Sequence, residues 1–523
     1  MFSRRSPVRA CVTCIIDAVS PIEILEHIPI GRHATETRMS SHDAYASSLF
    51  IDGRWRGAAS GETFDVRNPA TGDVVAAVAA GGRDDAREAI EAAARALPAW
   101  SSQTAYERSA ILYRAWELLT ANTERLARIL TTEQGKPLKA ARTEVKYAAD
   151  FLIWFAEEAK RVYGRTIPSP RGDQRFMVLQ QPIGVVAAVT PWNYPISMIT
   201  RKVAPALAAG CTIVLKPAED TPLCAIEMFR LLEEAGVPAG VANLITAGSP
   251  QPIGDEFVTN PLVGKITFTG STAVGKMLAR EAADQMKRIS LELGGHAPFI
   301  VFEDADPVHA AKGAALVKFL NTGQACISPN RFYVHASIHD AFVAAFADRV
   351  SRLQAGSGMD KDVTVGPLIN EHALRKMERQ VADARAKGAR IAAGGARLSG
   401  PAVDKGLFFA PTVLTDVTKD MHIYREETFG PIGAVCTFED EQDVVRAAND
   451  TRYGLASYIY TRDLARALRV SEALKFGMVG INDINPTAAA APFGGVKESG
   501  LGREGAQEGI MEYLDTKLLG ISL

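Results

Sequence analysis

The run Gly184-Val185-Val186-Ala187-Ala188-Val189-Thr190 decides the fold, because it opens a long alternation of strands and helices. It is short, continuously apolar and rich in β-branched residues, which reads as a strand rather than a helix. Residues 196–209 then carry a helical pattern, and Thr212-Ile213-Val214-Leu215 is a second strand run. A helix at 222–235 and a strand at 242–246 continue the alternation. After a short helix from Gln251 come a strand at 265–269, a helix at 272–284 and a strand at 288–293. Such a series places the chain in the α/β class, with a Rossmann-like parallel sheet covered by helices on both faces. Ligands bind such sheets at the carboxyl ends of their strands.

A second α/β series spans 297–476, with strands at 298–302 and 332–335 and helices at 307–320 and 338–353. Upstream, Phe50-Ile51-Asp52-Gly53-Arg54-Trp55 carries a hairpin signal and residues 68–73 a turn. Residues 84–163 are helical, with Ala86, Ile90, Ala93, Ala94 and Leu97 on one stripe. Gln134-Gly135-Lys136-Pro137 precedes another long helix there. Residues 164–181 read as an exposed hairpin or arm. The tail at 511–523 ends in a strand expected to pair with that arm in another subunit.

At 523 residues the chain exceeds one hydrophobic core. A net charge of −2 without a basic cluster excludes a nucleic-acid surface. No apolar run is long enough to cross a bilayer. Six cysteines in so long a chain make no disulfide framework, so a reducing, cytoplasmic setting is expected. Cys11 and Cys14 lack a second pair or a histidine cluster, and no metal is expected. Residues 1–48 look foreign to the rest. Arg4, Arg5 and Arg9 fit an organelle-targeting segment, but Asp17, Glu23 and Glu26 break it. A disordered arm, or a start codon placed too early with Met39 as the true beginning, is the preferred reading.

The chemistry centres on Asn321-Thr322-Gly323-Gln324-Ala325-Cys326-Ile327, a small polar loop after a helix that can present a thiol as nucleophile. Glu292, in Leu291-Glu292-Leu293-Gly294-Gly295, lies 34 residues earlier at a strand end. A thiol with a lone carboxylate points to acylation of sulfur followed by general-base hydrolysis. Asn193, in Thr190-Pro191-Trp192-Asn193-Tyr194-Pro195, offers a side-chain N–H that could join the Cys326 N–H in an oxyanion hole. Gly270 and Ser271 open a helix after a strand, where backbone N–H groups can meet a pyrophosphate. Lys216 and Glu219 can grip ribose hydroxyls, and the carboxylate would repel a 2′-phosphate, favouring NAD over NADP. Glu427 and Phe429 could hold a second ribose and the nicotinamide. Residues 492–504 form a Gly-rich run that shapes the cleft.

In their order, these separated motifs resemble the aldehyde dehydrogenase superfamily from about Phe50 to Leu523. The resemblance implies Cys326 as nucleophile, Glu292 as general base and Asn193 as oxyanion donor. It also implies cofactor contacts from Thr190, Pro191, Trp192, Lys216, Glu219, Gly254, Gly270, Ser271, Leu293, Glu427 and Phe429. The implied subunit has a cofactor domain (49–163 and 178–293, with part of 478–502) and a catalytic domain (294–477). An oligomerisation arm (164–177 and 503–523) completes it, in a homodimer or homotetramer. Within the superfamily the sequence looks like succinate-semialdehyde and 2-oxoglutarate-semialdehyde dehydrogenases, so an aldehyde substrate with an acid group is expected. Arg201 matches one carboxylate-binding arginine of those enzymes. Leu320 stands where they carry a second, and residues 487–491 are one threonine and four alanines where they have a pocket serine. A less charged aldehyde therefore stays open, as does a CoA-acylating relative, although Glu292 argues against the latter.

Overall fold

Alternating strands and helices from residue 184 build an eight-stranded sheet in the computed structural model, which describes residues 45–523. Its order is Gly500–Leu501, Arg288–Glu292, Val263–Thr269, Val185–Val189, Thr212–Lys216, Ala242–Leu244, Leu49–Ile51, Arg54–Arg56. The five strands from Arg288–Glu292 to Ala242–Leu244 are parallel, and the three at the edges are antiparallel. The helix Pro195–Ala209 is buried along its whole length, including Arg201 and Lys202. Proline at its start and left-handed Gly210 (φ 92°) at its end set its bounds. Each buried Leu or Ile on it contributes about 1.5–3 kcal/mol. The two cations are tolerable at that depth only because they are paired.

The second series forms a seven-stranded sheet: Arg390–Ala393, Thr412–Thr415, Ile432–Phe438, Pro329–His335, Ala297–Val301, Ala456–Tyr460, Met478–Ile481. All its pairings are parallel except that of the outermost Arg390–Ala393. Only Leu293-Gly294-Gly295-His296 separates the strand Arg288–Glu292 of one sheet from Ala297–Val301 of the other. The two sheets therefore meet where Glu292 ends its strand.

Several expectations need correction. The strand Leu514–Ser522 pairs antiparallel with Gln174–Pro182 of its own chain, from Leu514↔Pro182 to Ser522↔Gln174. Periodicity identifies a strand, but any ladder that satisfies its backbone groups can be its partner. The helix before the thiol ends at Lys318, short of 320. Asn321 (φ 50°), Thr322 (φ 60°) and Gly323 (φ 72°) then run left-handed in succession. For a β-branched threonine that geometry is strained, and it persists only because neighbours impose it. The loop is clamped, not flexible. The fold also begins before residue 49, since Tyr45 Oη donates to Glu227 Oε1 (3.1 Å) and Ser48 is fully buried. Residues 1–44, with Cys11, Cys14 and Met39, lie outside the described residues. Among the described residues, no helix is long and apolar enough to cross a membrane.

Candidate active site

Cys326 is fixed from both sides. Asn193 Nδ2 donates to Gln324 O (3.1 Å), and Tyr458 Oη donates to Ile327 O (2.9 Å). The chain at Gly295 passes so close to the Cys326 carbonyl that a Cβ there would collide with it, which ties the inter-sheet loop to the thiol loop. Burial pushes the Cys326 thiol up to about 12; Arg201 is the main opposing charge, while Glu292 and Glu427 add to the rise.

Glu292 is 5% exposed and neither of its oxygens has a hydrogen-bond partner. A buried carboxylate left so is costly, so burial, reinforced by the nearby Glu504 charge, holds its carboxyl well above the usual range. Glu504 behaves oppositely. Burial works against its ionisation, but Lys202 and Arg201 hold it below the usual carboxylate range. Lys202 Nζ lies 2.6 Å from Glu504 Oε1 and donates to Thr267 Oγ1 at 3.1 Å. Arg201 Nε lies 2.7 Å from Glu504 Oε2, its guanidinium stacks 3.9 Å from the Phe493 ring centroid, and its Nη2 is buried without a partner. One carboxyl thus has its proton affinity raised beside another whose affinity is lowered, which separates their roles in proton transfer.

Asn193 is brought to the thiol loop, but by a contact that its turn does not announce. One N–H of its carboxamide is committed to Gln324 O, two residues before Cys326, and an amide has a second to give. Local pattern marks the Pro-Trp-Asn turn but does not reveal which carbonyl the side chain meets. Local pattern also missed Glu504 and Lys202 as site residues. The available signal was Arg201-Lys202, two successive cations on an otherwise apolar helix, which demand a buried carboxylate partner.

Most of the residues expected to contact cofactor follow the ends of neighbouring strands, while Gly254 lies in a helix and Glu427 and Phe429 in a loop. Thr190 N donates to Lys216 O (3.1 Å), joining two strand ends. Lys216 Nζ is paired with Glu219 and donates to Pro217 O (2.9 Å), and burial lowers its pKa. Ser271 Oγ caps the helix Thr272–Ala282, and Leu293 packs against Gly275 of that helix. Gly254 lies in the helix Gln251–Thr259, and no other part of the chain packs within 4 Å of where its Cβ would project, leaving open space there. Trp192 and Phe429 meet edge to face, with ring centroids 5.5 Å apart. Glu427 Oε1 accepts from Gly295 N (2.8 Å), while burial raises its carboxyl. Thr269 Oγ1, at the end of its strand, is buried and unpartnered. Helix N-termini, an open glycine and an orphaned hydroxyl make a donor set that fits a dinucleotide. Among the described residues, no group of three or more His, Cys, Asp or Glu could hold a metal.

A clamped thiol near a buried carboxyl of raised pKa, flanked by strand ends of the kind that take dinucleotides, is an arrangement suited to an oxidoreductase. Residues 55–519 match the aldehyde dehydrogenase family, and the chain belongs to it. It is 50% identical to the succinate-semialdehyde dehydrogenase [NADP(+)] GabD of Escherichia coli (strain K12), over 93% of this chain and 100% of that one. The 3-sulfolactaldehyde dehydrogenase of Pseudomonas putida is 53% identical over 90% of this chain and 95% of its own. A crystal structure of succinate-semialdehyde dehydrogenase from Burkholderia pseudomallei superposes with TM-score 0.90 at 51% identity, covering 93% and 100% of the two chains. The protein is an NAD(P)-dependent enzyme that oxidises aldehydes to acids.

Proposed function

We propose that the enzyme oxidises a small aldehyde bearing an acid group, succinate semialdehyde being the model substrate, through Cys326, Asn193 and Glu292. The observation that carries this reading is the pair of unpartnered buried groups beside the thiol: the Glu292 carboxyl and Arg201 Nη2. The Cys326 thiol gives up its proton to solvent, its sulfur attacks the aldehyde carbon and opens the C=O bond to an oxyanion, and the free Asn193 N–H with the Cys326 N–H stabilises that oxyanion. A bound nicotinamide would supply the acceptor for the hydride that leaves the adduct carbon. Glu292 then takes a proton from the water that hydrolyses the thioester, and Glu504, Lys202 and Arg201 set its affinity for that proton. The acid departs and the thiol is restored.

Arg201 is the group we assign to the substrate's anion, since Nη2 lacks a partner and a guanidinium matches a carboxylate or sulfonate. The names of both relatives describe aldehydes with an acid group. Leu320, 42% exposed in place of a second cation, favours a second reading in which a less charged aldehyde is preferred. Comparing kcat/KM for succinate semialdehyde and for an uncharged aldehyde of equal length decides between them. Wild type is expected to prefer the anion, and Arg201→Met to lower kcat/KM for the anion about 30-fold or more beyond whatever it costs the neutral substrate. Equal losses on both substrates would leave Arg201 a structural cation only.

NAD is the proposed cofactor over NADP. Glu219 stands at the end of the strand Thr212–Lys216, partly exposed, where it would repel a 2′-phosphate. A relative named for NADP(+) makes this a real test. Wild type should favour NAD, and Glu219→Ser should raise kcat/KM with NADP relative to NAD by about tenfold or more, since about 1.4 kcal/mol is a factor of ten. An unchanged ratio would remove Glu219 as the selector.

We further infer the division of labour among the sheets. The expected bounds shift, because Met478–Ile481 joins the seven-stranded sheet and residues 178–182 the three-stranded one. The eight-stranded sheet, with 49–163, 183–293 and Gly500–Leu501, binds cofactor, and the seven-stranded sheet, from Ala297 to Ile481, presents the thiol. The three-stranded sheet (164–182 and 503–523) mediates a homodimer or homotetramer. Its open edge, Leu514–Ser522, displays Leu518 and Ile521, an exposed apolar strand of the kind that proteins cover. A nucleophile that must stay reduced fits the cytoplasm.

A further inference from the structure

Lys136 sits in the run Gln134-Gly135-Lys136-Pro137, whose local pattern marks only a helix boundary, yet its side chain is 1% exposed. Its ammonium is paired with Glu144, itself 1% exposed, lies 4.0 Å over the Tyr194 ring and donates to Asn193 O at 2.8 Å. Glu144 Oε1 meanwhile accepts from Ile196 N (3.0 Å) and Ser197 N (3.4 Å), in the first turn of the helix just after Asn193. Asn193 is thus gripped on its own carbonyl and just downstream.

The same carbonyl has a second donor, from the thiol loop. Asn321 Nδ2 reaches Asn193 O at 2.9 Å and Gln324 O at 3.1 Å, and Gln324 O is the acceptor of the Asn193 carboxamide. The left-handed turn at Asn321 and Thr322 is what aims Asn321 there. Both segments also lean on one further stretch of chain. Leu138 N donates to Gly358 O (2.9 Å), Thr322 Oγ1 to Gly366 O (3.1 Å) and Ile369 N to Gln324 Oε1 (3.0 Å). A Cβ at Gly366 would strike Gly135 O, so the backbones of those segments touch.

We propose that Lys136 is a positioning residue: held by Glu144, it fixes Asn193 O against Asn321 and so sets the oxyanion donor in register with Cys326. A buried lysine there only to neutralise Glu144 would need no bond to Asn193. The proposal rests on Asn193 being the oxyanion donor, and the test separates the two.

The rate of the first NADH-forming turnover is measured in wild type, Lys136→Met, Asn193→Ala and the double variant, with iodoacetamide alkylation of Cys326 followed in parallel. Lys136→Met should slow hydride transfer about tenfold or more, since misplacing a catalytic group by about 1 Å can cost about a hundredfold. Alkylation, which needs no oxyanion donor, should keep its rate. Asn193→Ala should slow the turnover about 10²–10³-fold, and adding Lys136→Met should then cost less than about threefold more. Should Lys136→Met fail to fold, Lys136→Met with Glu144→Gln takes its place in the cycle. That pair removes both buried charges and keeps the acceptor for Ile196 and Ser197. Fully additive losses, an equal slowing of alkylation, or a wild-type rate in the lysine variant overturns the role of Lys136. An Asn193→Ala enzyme as fast as wild type overturns the oxyanion assignment itself.

Discussion

Cys326→Ala is expected to lower aldehyde-dependent NADH formation by about 10⁴-fold or more while leaving cofactor binding intact. The size of that loss reflects the lack of a substitute. Cys211, Cys224 and Cys436, the other described cysteines, are buried, and burial pushes Cys211 up to about 11 and Cys436 up to about 12. Ser328, two residues along, donates its hydroxyl to Lys318 O at 3.3 Å and is not offered to a substrate. Alanine removes the sulfur without disturbing the anchors at Gln324 and Ile327, which hold the loop by its backbone carbonyls. NADH absorbance with a saturating aldehyde, beside cofactor binding followed by fluorescence, checks both halves. Turnover within about tenfold of wild type would remove the sulfur from the mechanism.

The parallel sheets are legible because a strand buried on both faces must be apolar throughout, and Val185–Val189 and Thr212–Lys216 show that without context. The positions of the thiol and Glu292 are legible for a related reason, since reactive groups on such sheets fall where strands and helices end. Pairings across the chain are not. Glu504 meets Lys202 from 302 residues away, and no periodicity records it. The left-handed Asn321 and Thr322 resist reading because asparagine and glycine permit that conformation while threonine argues against it. Only the packed surroundings decide. The partner of Leu514–Ser522 is hidden likewise, because an edge strand's backbone pairs equally well with its own chain or another.

Glu292→Gln should separate the two halves of the reaction. Its oxygens make no hydrogen bonds, so a glutamine of the same shape breaks none, and folding and acylation should survive. A burst of NADH, one per active subunit, is expected at close to the wild-type rate. Steady turnover should then fall by about 10²–10⁴-fold, the usual scale of general-base catalysis. The pH dependence gives an independent check with a definite sign. Burial, with the Glu504 charge, raises the Glu292 carboxyl well above its ordinary range. Below that raised pKa the group is protonated and cannot take a proton from water. In wild type, hydrolysis therefore weakens as pH falls through the raised pKa and recovers above it. The variant has no such group, so this acid limb should vanish from its steady-state profile while the burst remains. A variant that turns over at the wild-type rate with no burst, or that keeps the limb, would move the base elsewhere. Glu504 is a poor alternative, because Lys202 and Arg201 keep it ionised and occupy both its oxygens.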